Sequence, residues 1–231
     1  MNNFTYDYYE EIFQVALNDN YQIITSKEFF LDEYDKEKKV LVNRIDVDFK
    51  IHRLRRVYKI FKQLKIKASI YVRLHAPDYN LLSIGNIKII QDLIDIGCEV
   101  ALHTELEDVG NYCNLDKQEL LKREIKFFEA IFQIKLYGTA SHGDMTPYNN
   151  LDFWKQNKAS DFGLIYEAYD EKLWNNSRYV SDSEWTRWKA YDDGKLLEND
   201  RRTPIEHMRD NCKVINLLTH PESWYDGYIY E

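Results

Sequence analysis

The stretch Val40-Leu-Val-Asn-Arg-Ile-Asp-Val-Asp-Phe49 decides the reading of the fold. Val40 to Val47 is rich in β-branched and aliphatic residues, as a buried strand requires, and two carboxylates, Asp46 and Asp48, stand at its end. Directly after it, Ile51, Leu54, Val57, Phe61 and Leu64 recur at the 3.6-residue period of a helix lying on a sheet. A buried strand leading straight into an amphipathic helix is the repeating unit of a parallel sheet.

The same alternation extends in both directions. Upstream, residues 5–18 read as a helix, Tyr21 to Thr25 as a strand, and Asp32 to Lys39 as a charged connection. Downstream, Lys67 to Val72 reads as a strand. Ile87, Ile90 and Ile94 mark a helix that Gly97 stops. Cys98 to His103 is the next strand, with Cys98 as a small core residue. Leu121, Ile125, Phe128 and Phe132 place a long helix over 115–132, followed by a strand from Ile134 to Thr139 and a helix over 149–157. The pattern weakens between 160 and 200, where Phe162 to Tyr166 and Arg178 to Val180 read as short strands. Residues 204–210 read as a helix and Val214 to Thr219 as a final buried strand. Such βα units predict a parallel sheet, open or closed into a barrel. With no repeat or Pro/Gly/Ser linker, one domain is expected over 1–231, with 1–39 as N-terminal helix and connection and 40–224 as core.

The 231 residues carry a formal net charge of −8, which argues against a surface that tracks nucleic-acid phosphates. Hydrophobic residues at 44% are ample for a buried core, so wholesale disorder is excluded. No apolar run approaches the roughly 18 residues of a membrane span. The start, Met1-Asn-Asn-Phe-Thr-Tyr-Asp, lacks the basic and apolar segments of a secretory signal, so a cytoplasmic protein is expected. Three cysteines, Cys98, Cys113 and Cys212, without Cys-x-x-Cys spacing, make a disulfide framework or Cys-rich zinc site improbable.

Four predicted strands end in groups that ionise, bind metal or donate hydrogen bonds: Arg44-Ile-Asp46-Val-Asp48, His103-Thr-Glu105-Leu-Glu107, Ser141-His142-Gly143-Asp144 and Thr219-His220-Pro221-Glu222. In parallel α/β architectures the carboxyl ends of strands share one rim, where active sites are built. Each cluster has a structural alternative. Asp46 and Asp48 can cap the following helix, and His103 and Glu107 can be a solvated i,i+4 pair. His142 can be a turn residue, and His220 a hydrogen-bonded core histidine. Taken together, four clusters on one rim favour a site. His52, His75 and His207 have no companion cluster and read as structural or surface residues.

From Val40 to Trp224 the chain resembles the NodB-type polysaccharide deacetylase superfamily (carbohydrate esterase family 4-like). The closer resemblance is to the deacetylase-like subgroup associated with bacterial surface-polysaccharide biosynthesis. Arg44-Ile-Asp-Val-Asp-Phe looks like the first family motif, Gly97-Cys-Glu-Val-Ala-Leu-His-Thr-Glu the second, and Leu217-Leu-Thr-His-Pro-Glu-Ser-Trp the last. The resemblance implies an irregular (β/α) barrel. It implies a hydrolase of C–N bonds other than peptide bonds, with Asp46 as general base, His220 as acid and a divalent metal, zinc foremost, with manganese, iron or cobalt as alternatives.

Asp48 and His103 are the implied metal ligands. The second motif usually has a second histidine four residues on; Glu107 stands there and is the third expected ligand, with Glu105 or His142 as the alternative if Glu107 faces solvent. With Glu107 in the ligand set, the added negative charge and oxygen ligation would moderate the preference for zinc. His142 occupies the place of a catalytic arginine in the third motif and is counted with the catalytic candidates. Asp182-Ser-Glu-Trp185 is a weak match to the segment that orients the catalytic histidine. Glu105, Ser141, Trp185 and Trp224 are candidate substrate contacts. Trp174 and Trp188, with Trp185 and Trp224, are set against a core or lid role.

The expected substrate is an N-acetylated amino sugar in a cytoplasmic nucleotide-sugar or glycan precursor. The competing expectation is a carbohydrate-binding or assembly component that retains the barrel without chemistry. An amidohydrolase barrel ranks lower, because the first strand lacks a His-x-His pair. The oligomeric state is left open.

Overall fold

The structure is a computed structural model that describes residues 4–143, 146–184 and 187–227. Its elements in chain order are α1 (Tyr6–Asn18), β1 (Tyr21–Ile24), α2 (Ser26–Phe30), β2 (Lys39–Val47), α3 (Leu54–Leu64), β3 (Ser69–Val72), α4 (Ile84–Asp95), β4 (Glu99–Thr104), α5 (Leu106–Cys113), α6 (Lys117–Phe132), β5 (Gly138–Ser141), β6 (Tyr166–Glu167), α7 (Glu171–Trp174), β7 (Arg178–Ser181), β8 (Lys189–Asp192), β9 (Lys195–Leu196), α8 (Pro204–Arg209) and β10 (Val214–Thr219). One sheet runs in the order β6-β5-β4-β3-β2-β10-β7-β8-β9, with β1 on β2. Pairing is parallel from β6 to β7, and only the β7–β8 and β8–β9 pairs are antiparallel. This is the expected irregular (β/α) barrel, curled but not closed. Among the described residues no ladder joins β6 to β7. Aromatic contacts span that seam instead: Tyr179 lies 6.5 Å from Tyr169 and 4.9 Å from Trp174, ring centre to ring centre.

β2 is the central strand because of its length. Its first half pairs with β1 and its second half with β3, while β10 runs along its other side. The predicted helix faces are buried: Leu54, Val57 and Phe61 on α3, and Leu121, Ile125, Phe128 and Phe132 on α6. α4 ends where Gly97 adopts φ +91°, a conformation that costs a glycine little.

The barrel interior is polar at its lower end as well as at its rim. Ser69 on β3, Glu99 on β4 and Tyr166 on β6 point inward, and the Tyr166 hydroxyl donates to Glu99 Oε1 at 2.6 Å. The N-terminus of α2 closes this lower end. Ser26 N–H donates to Ser69 Oγ, Lys27 N–H to Glu99 Oε2, and Phe30 stacks on Tyr166 at 4.5 Å. The N-terminal segment is thus a plug fixed by hydrogen bonds, opposite the rim that carries the polar clusters.

Several features differ from the sequence reading, among them the strand expected at Phe162 to Tyr166, which is a 3₁₀ turn, Ala159–Phe162, followed by β6 at Tyr166–Glu167. The strand expected at Ile134 to Thr139 lies over Gly138–Ser141 and so delivers His142 to the rim. The helix expected over 149–157 is a 3₁₀ segment, Asn150–Lys155. The unassigned region before residue 200 contains the β8–β9 hairpin, turned by Asp193 and Gly194 at positive φ. Among the described residues no helix is long and apolar enough to cross a membrane.

Gly138 offers a test of the interior packing. A Cβ there would lie 2.2 Å from the Tyr166 ring, and that ring is fixed by hydrogen bonds to Tyr71 and Glu99. Gly138→Ala should lower the unfolding free energy by about 1–3 kcal/mol in urea denaturation. Gly143→Ala, whose Cβ meets nothing within 4 Å among the described residues, should stay within ~0.5 kcal/mol of wild type.

Candidate active site

The carboxyl ends of β2, β4, β5, β7 and β10 open on a cavity of about 420 Å³. Period-2 geometry turns Arg44, Asp46 and Asp48 to the same inner side. Arg44 Nε and Nη2 donate to the two oxygens of Asp46 at 2.9 and 2.7 Å, a bidentate pair almost wholly buried. The guanidinium packs 4.4 Å from the Tyr169 ring centre and 5.4 Å from that of Tyr71. Burial alone would raise the Asp46 pKa, but Arg44, and after it His103, hold it below the ordinary carboxylate value.

His103 sits one strand further along. Its Nδ1 lies 2.9 Å from the Ala140 carbonyl, which makes Nδ1 the protonated nitrogen and turns the Nε2 lone pair towards β2. Nε2 lies 3.2 Å from Asp48 Oδ1 and 3.5 Å from Asp46 Oδ2. His142, placed beyond β5 by its N–H bond to the Thr104 carbonyl, brings its own Nε2 to 3.7 Å from Asp48 Oδ1. Asp48, His103 and His142 therefore converge with ligand atoms mutually within 4.8 Å. Burial would raise the Asp48 pKa, yet His103, His220 and His142 lower it. Burial, then His103, push His142 down to about 4, so its imidazole is neutral at physiological pH. Asp48 Oδ1 is buried and among the described residues accepts no hydrogen bond of good geometry. An anionic oxygen facing two imidazole nitrogens could hold a divalent cation.

His220 occupies the opposite flank, with Nε2 3.9 Å from Asp48 Oδ2. Asp182 at the end of β7 takes up both its Nδ1, at 2.6 Å, and its backbone N–H, at 3.0 Å. Burial opposes a charge on the ring, but Asp182, with Asp48 and Asp46 behind it, raises the His220 pKa to about 10. The segment after β10 is held by Arg53, whose Nη1 donates to the carbonyls of Pro221, Glu222 and Trp224.

Asp46, Asp48, His103, His142 and His220 all line the cavity. Glu107 does not join them. β4 ends at Thr104 and α5 begins at Leu106, which turns Glu107 away to Lys117 Nζ at 2.5 Å and Asn111 Nδ2 at 3.2 Å. His142, the alternative to Glu107 in the sequence reading, stands beside Asp48 and His103. Glu105 is buried against Arg73 Nη2 at 2.6 Å, and Ser141 is buried with its Oγ accepting from Trp154 Nε1. Trp224 is buried too: its indole N–H donates to Asp182 Oδ2, and its ring packs on Tyr9 at 4.6 Å. These three reach the site through other residues instead of facing the cavity. Trp188 is buried and stacked on Phe4, Trp174 does line the cavity, and Trp185 lies outside the described residues.

Four contributors were not assigned roles from sequence: Arg44, Arg73, Tyr179 and Glu222. Arg44 was legible, since its two-residue spacing from Asp46 puts both on one strand face. Arg73 and Tyr179 depend on strand neighbours distant in sequence. Glu222 lines the cavity with both carboxylate oxygens buried and, among the described residues, without a hydrogen bond. Burial, then Asp48, push its pKa up to about 7.

No protein-family model matches the sequence, and no curated protein matches it significantly. Among solved structures, the neighbours include carbohydrate esterase family 4 proteins and deacetylases. A Streptococcus pyogenes deacetylase solved in complex with acetate aligns with a TM-score of 0.48 at 15% identity, over 65% of this chain and 68% of that one. A CE4 family pseudoenzyme from Bacillus anthracis aligns at 0.48 and 16%, over 81% and 56%. A family 4 carbohydrate esterase from Bacillus anthracis aligns at 0.47 and 10%, over 92% and 77%.

The His220–Asp182 pair makes stability depend on pH with a definite sign. The native pKa of His220, about 10, lies above the unfolded value of about 6.5. Its contribution is therefore complete below about pH 6.5 and is lost as pH rises through 10. Asp182→Asn should flatten this fall in urea denaturation across that interval; profiles parallel to wild type would show that Asp182 does not hold the charge.

Proposed function

We propose that the chain is a metal-dependent hydrolase that removes an acyl group, N-acetyl foremost, from an amino sugar. The observation that carries this reading is the convergence of Asp48, His103 and His142 between two further groups of opposite proton demand, Asp46 and His220. A divalent cation held by those three side chains would supply Lewis acidity, making a water acidic near neutral pH and polarising an acyl carbonyl.

The residues of the chain then divide the proton work. Asp46, deprotonated and locked by Arg44, accepts the proton of the attacking water. His220, positively charged and held by Asp182, gives its proton to the departing nitrogen. The water oxygen bonds to the acyl carbon, the C–N bond breaks, and the products are a carboxylate and an amine. Trp174, Tyr179 and Tyr191 line the cavity and offer ring faces to a sugar.

Asp46→Asn and His220→Ala should each lower amine release from N-acetylated amino sugars by about 10²–10⁴-fold in kcat with zinc still bound. Asp48→Ala and His103→Ala should lose zinc by elemental analysis, whereas Glu107→Ala should keep it. Zinc-loaded wild type that binds glycan without turnover, with binding unchanged in both Asp46→Asn and His220→Ala, would replace this reading with a carbohydrate-binding one.

A further inference from the structure

We infer that Glu105, clamped by Arg73, orients His142 towards the cation by accepting a hydrogen bond from its Nδ1. The inference rests on the metal site proposed above and concerns residues that the proposed proton transfers do not use.

The geometry begins with a tautomer problem. If Nε2 of a neutral imidazole offers its lone pair to a cation, Nδ1 carries the proton and must donate it. A buried N–H left unsatisfied costs about 1–3 kcal/mol. For His103 the backbone supplies the acceptor, the Ala140 carbonyl at 2.9 Å. For His142, Nδ1 is buried and among the described residues has no hydrogen-bond partner. Glu105 Oε1 lies 4.0 Å from that nitrogen. The other oxygen, Oε2, is likewise buried with no partner among the described residues. Glu105 is 7% exposed and His142 4%, so water does not readily satisfy either group.

Asp108 is the competing acceptor, since its carboxylate groups with Glu105 and His142 within 4.8 Å. Its two oxygens are already engaged, by the Thr146 hydroxyl and by Asn150 Nδ2 at 2.8 Å. Glu105 keeps one oxygen free. The same cluster is poorly suited to a cation of its own, because the Arg73 guanidinium sits on Glu105 at 2.6 Å and repels one. Arg73 also donates from Nη1 to the Asp48 carbonyl at 3.0 Å. One side chain just past the end of β3 thus links the segments that follow β2 and β4, where Asp48 and Glu105 stand. The inferred bond requires the 4.0 Å between Nδ1 and the carboxylate to shorten when the cation is bound. An anionic acceptor makes the imidazole a stronger ligand than a carbonyl does, and loss of such a partner typically weakens metal affinity 10–100-fold.

The test is zinc affinity by competition with a chelator, joined to imidazole NMR of the zinc-loaded protein. Wild type should show His142 with Nδ1 protonated, its proton far downfield and slow to exchange. Glu105→Gln, which keeps the shape but not the charge, should bind zinc about tenfold more weakly and move that resonance upfield. Glu105→Ala should approach the 100-fold limit and lose the resonance to exchange. Asp108→Asn should leave both readouts at the wild-type value. Circular dichroism of the zinc-free proteins separates unfolding from loss of affinity; if Glu105→Ala does not fold, the isosteric Gln variant decides. Zinc affinity within twofold of wild type in folded Glu105→Gln, or a His142 protonated on Nε2, overturns the inference while leaving the metal site intact. Zinc binding that is unaffected by Asp48→Ala and His142→Ala overturns the site itself, and the role of Glu105 with it.

Discussion

Everything at the rim follows from the cost of burying carboxylates. A carboxylate taken out of water must find a cation or several hydrogen bonds, or it protonates. Asp46 has Arg44, Glu105 has Arg73, and Asp182 has His220. Arg73 and His220 reach their partners across neighbouring strands, and Arg44 reaches its own along one strand. Asp48 differs: its neighbours are imidazoles, of which His142 is held neutral and His103 gains a proton only through the carboxylates around it. Asp46 and Glu105 thus each face a permanent guanidinium cation, whereas Asp182 and Asp48 face titratable imidazoles. Facing two imidazole nitrogens, the Asp48 carboxylate could form the anionic part of a cation site.

The two arginines do this in different ways. Arg44 reaches its partner along its own strand, so the Asp46 side chain stays oriented even if neighbouring strands shift. Arg73, just past β3, reaches Glu105 beyond the end of β4 and the Asp48 carbonyl beyond the end of β2, so it links the ends of three neighbouring strands. Both guanidinium groups are planar forks suited to carboxylates, and a lysine would hold neither arrangement with the same geometry. Trp224 extends the scheme to the far flank: one indole N–H, buried among Phe4, Tyr9 and Trp188, carries the packing of the N-terminal helix to Asp182 and so to His220.

Much of this was legible in the residues themselves. The βα alternation, the faces of α3 and α6, and the gathering of polar groups at strand ends all follow from local periodicity. The orientation of Glu107 is not legible there, although His142 is among the alternatives that the residues offer. The i,i+4 spacing of His103 and Glu107 describes a helix turn, but the chain leaves β4 and re-enters a helix only at Leu106, which sends the two side chains in different directions. His142 reaches the site because His103 pairs with Ala140 in the ladder of β4 and β5, a relation between residues far apart in sequence. The β8–β9 hairpin was legible in principle from Asp193-Gly194, a turn pair whose signal was masked by the weak alternation of its flanking residues. Arg44 belongs to the same group: period two alone aligns it with Asp46.

The seam between β6 and β7 gives the rim an unequal stiffness. Hydrogen-bonded ladders set the spacing between neighbouring strands from β6 through β2 to β7, and that spacing is fixed by peptide geometry. Across the seam, the spacing rests on Tyr169, Trp174 and Tyr179, whose ring contacts can slide by fractions of an ångström at little cost. Asp46, His103 and His220 stand on the laddered side and Trp174 and Tyr179 at the seam: a mouth with one hydrogen-bonded wall and one aromatic wall.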